Sequence, residues 1–295
     1  MLKLSRTQRM FLAVVGGIAL LVGIGALSAA LRPAHNVIQV TLPQNEYTEE
    51  TKYIHPLKER LPLVPCSYNS SQFSCEGQIY RYTKGNAVTS TFGIDVSSHQ
   101  GEIDWQAVKN AGVQFAFIRA GYRGYESGKL IEDEYFDRNM QGAMDAGLPV
   151  GVYFFSQAIT AEEAREEAQL TLSMMEGYDV ELPVVFDWEV ITNGDYARTA
   201  NITTLGLTDC VIGFCEAVKE AGYTPMFYQN KGTALSKMDL ELVTDYGFWL
   251  AEYDDLPSYP YHYDIWQYTD QGRIDGIEGR VDLNVCLTDL TAEGE

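Results

Sequence analysis

Asp187 and Glu189 stand two residues apart at the end of the apolar run Val184-Val185-Phe186. Strand side chains alternate between faces, so two acids at this spacing point the same way, their Cα atoms roughly 6.6 Å apart. Carboxylates held so close at the end of a buried strand raise one another's proton affinity. A protonated acid beside an ionised one is the arrangement that glycosidic-bond cleavage uses. An Asp-x-Glu step is also an ordinary surface feature in an acidic chain, so the pair needs partners. Two further strand ends supply them. Asp95 shares a face with Ser97, and Asp282 shares one with Asn284. Three strands remote in sequence thus deliver carboxylates to one rim. Aromatic residues, whose rings suit the apolar faces of sugars, cluster near the same ends: Tyr153, Phe155, Tyr228, Trp249, Tyr253, Trp266 and Tyr268. Trp188, between the two acids, points by alternation into packing.

Eight β-rich runs must hold these residues, at 91–97, 113–120, 149–156, 182–190, 224–230, 247–253, 263–269 and 279–285. Helical patterns separate the first five. Asp104 caps a short helix that closes at Gly112. The stretch 132–146 is amphipathic and stops at Gly147-Leu148-Pro149. Thr160 and Glu163 match a capping box before a helix to about 176. The stretch 208–221 ends at Gly222, and a weaker helix lies within 233–245. The last gaps, of about nine residues, are too short for a helical crossover. The pattern predicts an α/β fold: an irregular TIM-like barrel of about eight strands and five helices, its last three strands joined by loops. Function in such a barrel sits at the C-terminal strand ends.

All 41 acidic residues follow residue 45, whereas four of the 21 basic ones precede it, within a formal net charge of -20. That balance argues against nucleic acid as a partner. Lys3, Arg6 and Arg9 precede an uncharged run over 11–31. Its 21 residues span roughly 31 Å as a helix, enough to cross a bilayer core. The expected order is a cytoplasmic tail over 1–10, a single-pass transmembrane anchor over 11–31 and an extracellular remainder. A cleaved signal ending near Ser28-Ala29-Ala30 is the alternative, and would make the protein secreted. Residues 32–88, polar and broken by five prolines, read as an extracellular stalk in which Cys66 and Cys75 could close a small loop, with a small independent module as the alternative. The catalytic barrel occupies 89–295. Cys210, Cys215 and Cys286 read as buried small hydrophobes. Four scattered histidines and no Cys-x-x-Cys point to no metal, and no cofactor is expected.

Taken together, Gly93-Ile94-Asp95-Val96-Ser97-Ser98-His99-Gln100, Phe186-Asp187-Trp188-Glu189, Trp249-Leu250-Ala251-Glu252-Tyr253, Ile265-Trp266-Gln267-Tyr268 and Val281-Asp282-Leu283-Asn284 are specific in order and spacing. They resemble glycoside hydrolase family 25, the Chalaropsis-type lysozymes or N-acetylmuramidases, over roughly residues 91 to 287. The resemblance implies an irregular barrel of eight strands and about five helices. It also implies hydrolysis of the β-1,4 bond between N-acetylmuramic acid and N-acetylglucosamine in peptidoglycan. Glu189 falls on the family's general acid and Asp187 on the carboxylate that stabilises the reacting sugar. Asp95 and Asp282 fall on the two other acidic positions. Tyr153, Tyr228, Trp249, Tyr253, Trp266 and Asn284 are the candidate substrate contacts. Two departures touch the groove: Arg119-Ala120-Gly121-Tyr122-Arg123-Gly124 replaces a Lys-x-Thr/Ser-Glu-Gly pattern, and Tyr153-Phe154-Phe155 replaces a frequent Tyr-His-Phe. A catalytically weak, wall-binding or scaffold protein on the same fold is the alternative to an enzyme. A chitinase-like hydrolase is a third reading. An acid pair from one strand suits attack by the substrate's 2-acetamido group with net retention, while a base at Asp95 or Asp282 would give inversion.

Overall fold

The computed structural model describes residues 58–191 and 197–290. The tail over 1–10, the anchor over 11–31 and the first part of the stalk lie outside the described residues. Among the described residues, no helix is long and apolar enough to cross a membrane.

In chain order the strands are β1 (Phe73–Glu76), β2 (Ile79–Lys84), β3 (Ala87–Val88), β4 (Thr91–Val96), β5 (Phe115–Arg123), β6 (Leu130–Glu132), β7 (Val150–Ser156), β8 (Val184–Trp188), β9 (Pro225–Asn230), β10 (Gly247–Ala251), β11 (Ile265–Gly272) and β12 (Val281–Cys286). The helices are α1 (Trp105–Asn110), α2 (Phe136–Asp145), α3 (Ala161–Met174), α4 (Thr204–Glu220) and α5 (Lys231–Lys237). The run β4-β5-β7-β8-β9-β10-β11 is parallel throughout; β12 runs antiparallel between β11 and β4 and closes the barrel. This is the expected eight-stranded α/β barrel with five helices. The link from β10 to β11 contains no helix although the two strands are parallel, so a loop alone makes that crossover.

Boundaries shifted where neighbours overrode local pattern. β5 runs on to Arg123 because its end pairs with β6, which takes Glu132, the residue expected to open α2. α4 starts four residues early, where Thr203 Oγ1 accepts from the Gly206 N–H. Asn230 caps α5, which is shorter than expected and gives way to a 3-10 turn at Leu240–Leu242.

Two cores follow from strand alternation. Inward positions form one of Phe115, Phe117, Tyr153, Val185, Met226, Tyr228, Trp249, Ala251, Ile265 and Cys286. Outward positions, including Ile94, Val152, Phe186 and Trp188, form a larger one against the helices. Gly93 faces inward opposite Phe115: a Cβ there would stand 2.3 Å from its ring, so glycine is what lets the aromatic plug fill the barrel. Cys210, Cys215 and Cys286 are buried, as expected.

Residues 58–88 are not a stalk. β1, β2 and β3 form a three-stranded antiparallel sheet packed on the barrel's outer wall. Phe73 and Tyr80 meet Trp266 with ring centroids 5.6 and 4.9 Å apart, and Tyr68 meets Tyr263 at 5.2 Å. Backbone bonds link Leu61 to Glu241, Cys66 to Pro260 and Val64 to His262. The prolines and polar residues hid an aromatic seam. Nor is there a Cys66–Cys75 disulfide: both are free thiols, Cys75 exposed on β1 and bonded to the Gly77 carbonyl at 3.6 Å.

Candidate active site

Every inward carboxylate reaches the site because its strand ends there or, for the antiparallel β12, begins there. β4 delivers Asp95, β8 delivers Asp187 with Glu189 one step beyond, and β12 delivers Asp282. Asp95 and Asp282 are direct partners in the antiparallel β4–β12 ladder, where paired side chains lie about 4.5–5.5 Å apart. Together the four line a cavity of about 210 Å³, with Ser97, His99, Gln100, Arg119, Tyr153, Phe155, Tyr228, Trp249, Tyr253 and Gln267.

Like charges in direct register are tolerated when a proton is shared. Asp95 Oδ2 accepts from Gln267 Nε2 at 2.9 Å and from Asn284 Nδ2 at 2.7 Å. Burial lifts the Asp95 carboxyl to about 6, against the opposing pull of its bonds from Asn284, Gln267 and Asp282. Burial, then the charge of Asp95, lifts Asp282 to about 9. At neutral pH Asp282 therefore keeps its proton and Asp95 is the anion it supports. Asp187 is only 6% exposed. Burial raises its carboxyl well above the ordinary range, the charges of Glu189 and Asp95 raise it further, and Arg119 opposes them. Glu189, nearer the mouth, is raised by burial and then by Asp95. This pair retains a proton where isolated carboxyls have lost theirs. Asp187 Oδ1 is buried with no hydrogen-bond partner among the described residues.

Of the six candidate substrate contacts, Tyr153, Tyr228, Trp249 and Tyr253 line the cavity. Trp266 and Asn284 do not. Trp266 alternates outward, is wholly buried under the N-terminal sheet and donates from Nε1 to the Glu252 carbonyl at 2.8 Å. Tyr268 faces the same way and bonds the Gln78 carbonyl. Asn284 is sealed beneath Asp95, accepting from Trp249 Nε1 at 2.8 Å while donating to the carboxylate. It orients an acid rather than touching a ligand. Sequence reasoning missed Gln267, although it sits inside a quoted motif. Gln267 Oε1 accepts from Tyr228 and Tyr253 at 2.8 and 2.7 Å while Nε2 holds Asp95. Strand alternation could have found it, since Gln267 is the inward residue between two outward aromatics. Arg119 was noted only as a departure. It is the cation of the site, pinned by Asp133 at 2.8 Å and Ser98 Oγ at 3.2 Å. Trp188 packs outward, as alternation requires.

A cavity with four neighbouring carboxyls, aromatic walls and one cation suits acid-assisted cleavage of a polar polymer. The sequence profile of glycosyl hydrolases family 25 matches residues 94–277, which contain Asp95, Asp187 and Glu189. The chain belongs to glycosyl hydrolases family 25. Lysozyme M1 of Streptomyces globisporus is 30% identical over 216 residues, 68% of this chain and 70% of that protein. The uncharacterized protein YegX of Escherichia coli is 32% identical over 252 residues, 80% of this chain and 78% of that one. A family 25 glycosyl hydrolase from Bacillus anthracis shares the fold, with a TM-score of 0.57, 25% identity, and 68% and 89% of the two chains covered. This family 25 member is a glycoside hydrolase, and it acts on peptidoglycan.

Proposed function

We propose that this peptidoglycan hydrolase cleaves the β-1,4 bond between N-acetylmuramic acid and N-acetylglucosamine, with Glu189 as general acid and Asp187 as its partner. The observation that carries the reading is the buried, unpartnered Asp187 Oδ1 beside the raised Glu189 carboxyl. In the free protein the deeper Asp187 holds the proton more strongly. When a 2-acetamido N–H donates to Asp187, hydrogen bonding favours its ionised form. The shared proton then belongs to Glu189, at the cavity mouth, where a glycosidic oxygen arrives. Asp187 aligns the acetamido oxygen for attack on the anomeric carbon, and Glu189 afterwards deprotonates the water that opens the intermediate. Retention follows, as in substrate-assisted glycosidases. Asp95, kept ionised by Gln267, Asn284 and the protonated Asp282, adds negative potential beneath the developing oxocarbenium charge. Tyr153, Tyr228, Trp249 and Tyr253 form the sugar-binding walls.

The sequence of 1–31 supports a place for the enzyme at the outer face of a membrane, held in the bilayer by the 11–31 span with the N-terminus cytoplasmic. Cleavage near residue 30 would release it instead. Glu189→Gln tests the acid assignment. Turbidity loss of purified cell walls should slow by at least about two orders of magnitude, the usual cost of losing a general acid. A variant with more than half the wild-type rate would sink the assignment.

A further inference from the structure

Glu189 lies just beyond the strand ladder. The last β8 pairs are Trp188 with Ser156 on one side and Asp187 with Tyr228 on the other. Two glutamine amides continue the sheet where the backbone stops. Gln229 Nε2 donates to the Trp188 carbonyl at 2.7 Å, and Gln157 Nε2 donates to the Glu189 carbonyl at 2.8 Å. Gln157 is wholly buried, and the same nitrogen also meets the Ser156 carbonyl at 2.9 Å. Its Oε1 accepts from Thr199 Oγ1 at 2.9 Å. The amide has one stable orientation, since a flip would set its oxygen against two carbonyls.

Thr199 belongs to the segment that leads from β8 towards α4, and Arg198 locks it. The Arg198 guanidinium donates to the Gln157 backbone carbonyl at 2.9 Å and to the Glu163 carboxylate at 2.8 Å, while the Arg198 backbone N–H donates to the Tyr125 carbonyl at 2.9 Å. Glu163 also accepts from the Ile159 N–H at 2.9 Å rather than completing a capping box with Thr160. An ion pair seated on the first turn of α3 thus clamps the main chain of Gln157, whose side-chain amide holds the Glu189 backbone.

We propose that Gln157, clamped by Thr199 and Arg198, is a positioning residue for the reaction, fixing the backbone of Glu189 so that its carboxyl stays over the cavity. The proposal rests on the reading of Glu189 as the acid. A misplacement of about 1 Å in a reacting group costs roughly a hundredfold. Gln157→Met keeps the volume and removes both donors and acceptor. Thr199→Val breaks only the far end of the clamp. Both should lower kcat, Gln157→Met by about ten- to a hundredfold, with KM within about threefold. The basic limb of the pH–rate profile should move down by about half a unit or more, because a carboxyl that tilts towards water loses part of the burial that raises it. The titratable groups that line the cavity with Glu189 are Asp95, His99, Arg119, Tyr153, Asp187, Tyr228, Tyr253 and Asp282, and neither substitution replaces any of them. Arg165→Ala, which breaks a surface pair with Glu220, should change nothing.

Melting curves confirm that each variant is folded; if Gln157→Met does not fold, Thr199→Val decides. Folded variants with kcat within twofold of wild type would overturn the proposal. So would a lower kcat with an unmoved basic limb, which is the mark of general loosening. Glu189→Gln, assayed alongside, separates the two claims. Activity there refutes the acid itself, whereas its loss together with an unchanged Gln157→Met refutes only the clamp.

Discussion

Replacing Trp266 with alanine separates a sugar platform from a structural seam. The indole is fully buried and faces away from the cavity, between the barrel wall and the N-terminal sheet. It touches Phe73, Tyr80 and Tyr268 at centroid distances of 5.6, 4.9 and 5.4 Å and donates to the Glu252 carbonyl. Truncating a buried tryptophan costs about 3–5 kcal/mol. For a body of 150–250 residues each kcal/mol moves Tm by about 2–4 °C, so Trp266→Ala should melt about 6–20 °C lower. Well below that Tm, KM on solubilised peptidoglycan should stay within twofold. Differential scanning calorimetry and steady-state kinetics on one preparation read both. A Tm within about 2 °C of wild type, with KM raised several-fold, would refute the seam. Removing residues 1–88 uncovers the same ring together with Tyr263 and Tyr268, and should abolish a single cooperative transition; a cooperative, active truncation would refute it equally.

Two other outcomes follow from the carboxyl cluster. Asp282 is raised by burial to about 9 when folded and titrates near 3.9 when unfolded. Its contribution to stability is complete below about pH 4 and is lost as pH rises towards 9. Asp282→Asn keeps the neutral form, so its Tm relative to wild type should rise by several degrees between pH 4 and pH 8; an offset equal at both pH values would contradict the shared proton. NMR of the first-formed anomer on a soluble muropeptide oligomer should show β; an initial α-anomer would rule out the acetamido route and move the base role to Asp95 or Asp282.

The barrel was legible because its inward and outward residues alternate over eight runs, and because helix caps at Asp104 and Thr160 mark real starts. The acids were legible for the same reason: each is an inward residue at a strand end. Trp266 was misplaced by one step of that alternation. Its neighbour Gln267 is the inward residue, a polar side chain set between two outward aromatics. The packed sheet over 73–88 was not legible. Its strands are short, two of them largely exposed, and its apolar contacts are made with residues almost two hundred positions away. The clamp on Glu189 was equally hidden, since Gln157, Glu163 and Arg198 come together only through the fold.

The most direct test of the account is the chemistry of the new ends. Digested cell wall, reduced with borohydride and hydrolysed, should yield muramitol in proportion to the bonds cut, and at least about a hundredfold less in the same time when Glu189→Gln replaces the wild type. Glucosaminitol instead, or no new reducing ends from folded enzyme, would contradict a muramidase that works through the Asp187–Glu189 pair.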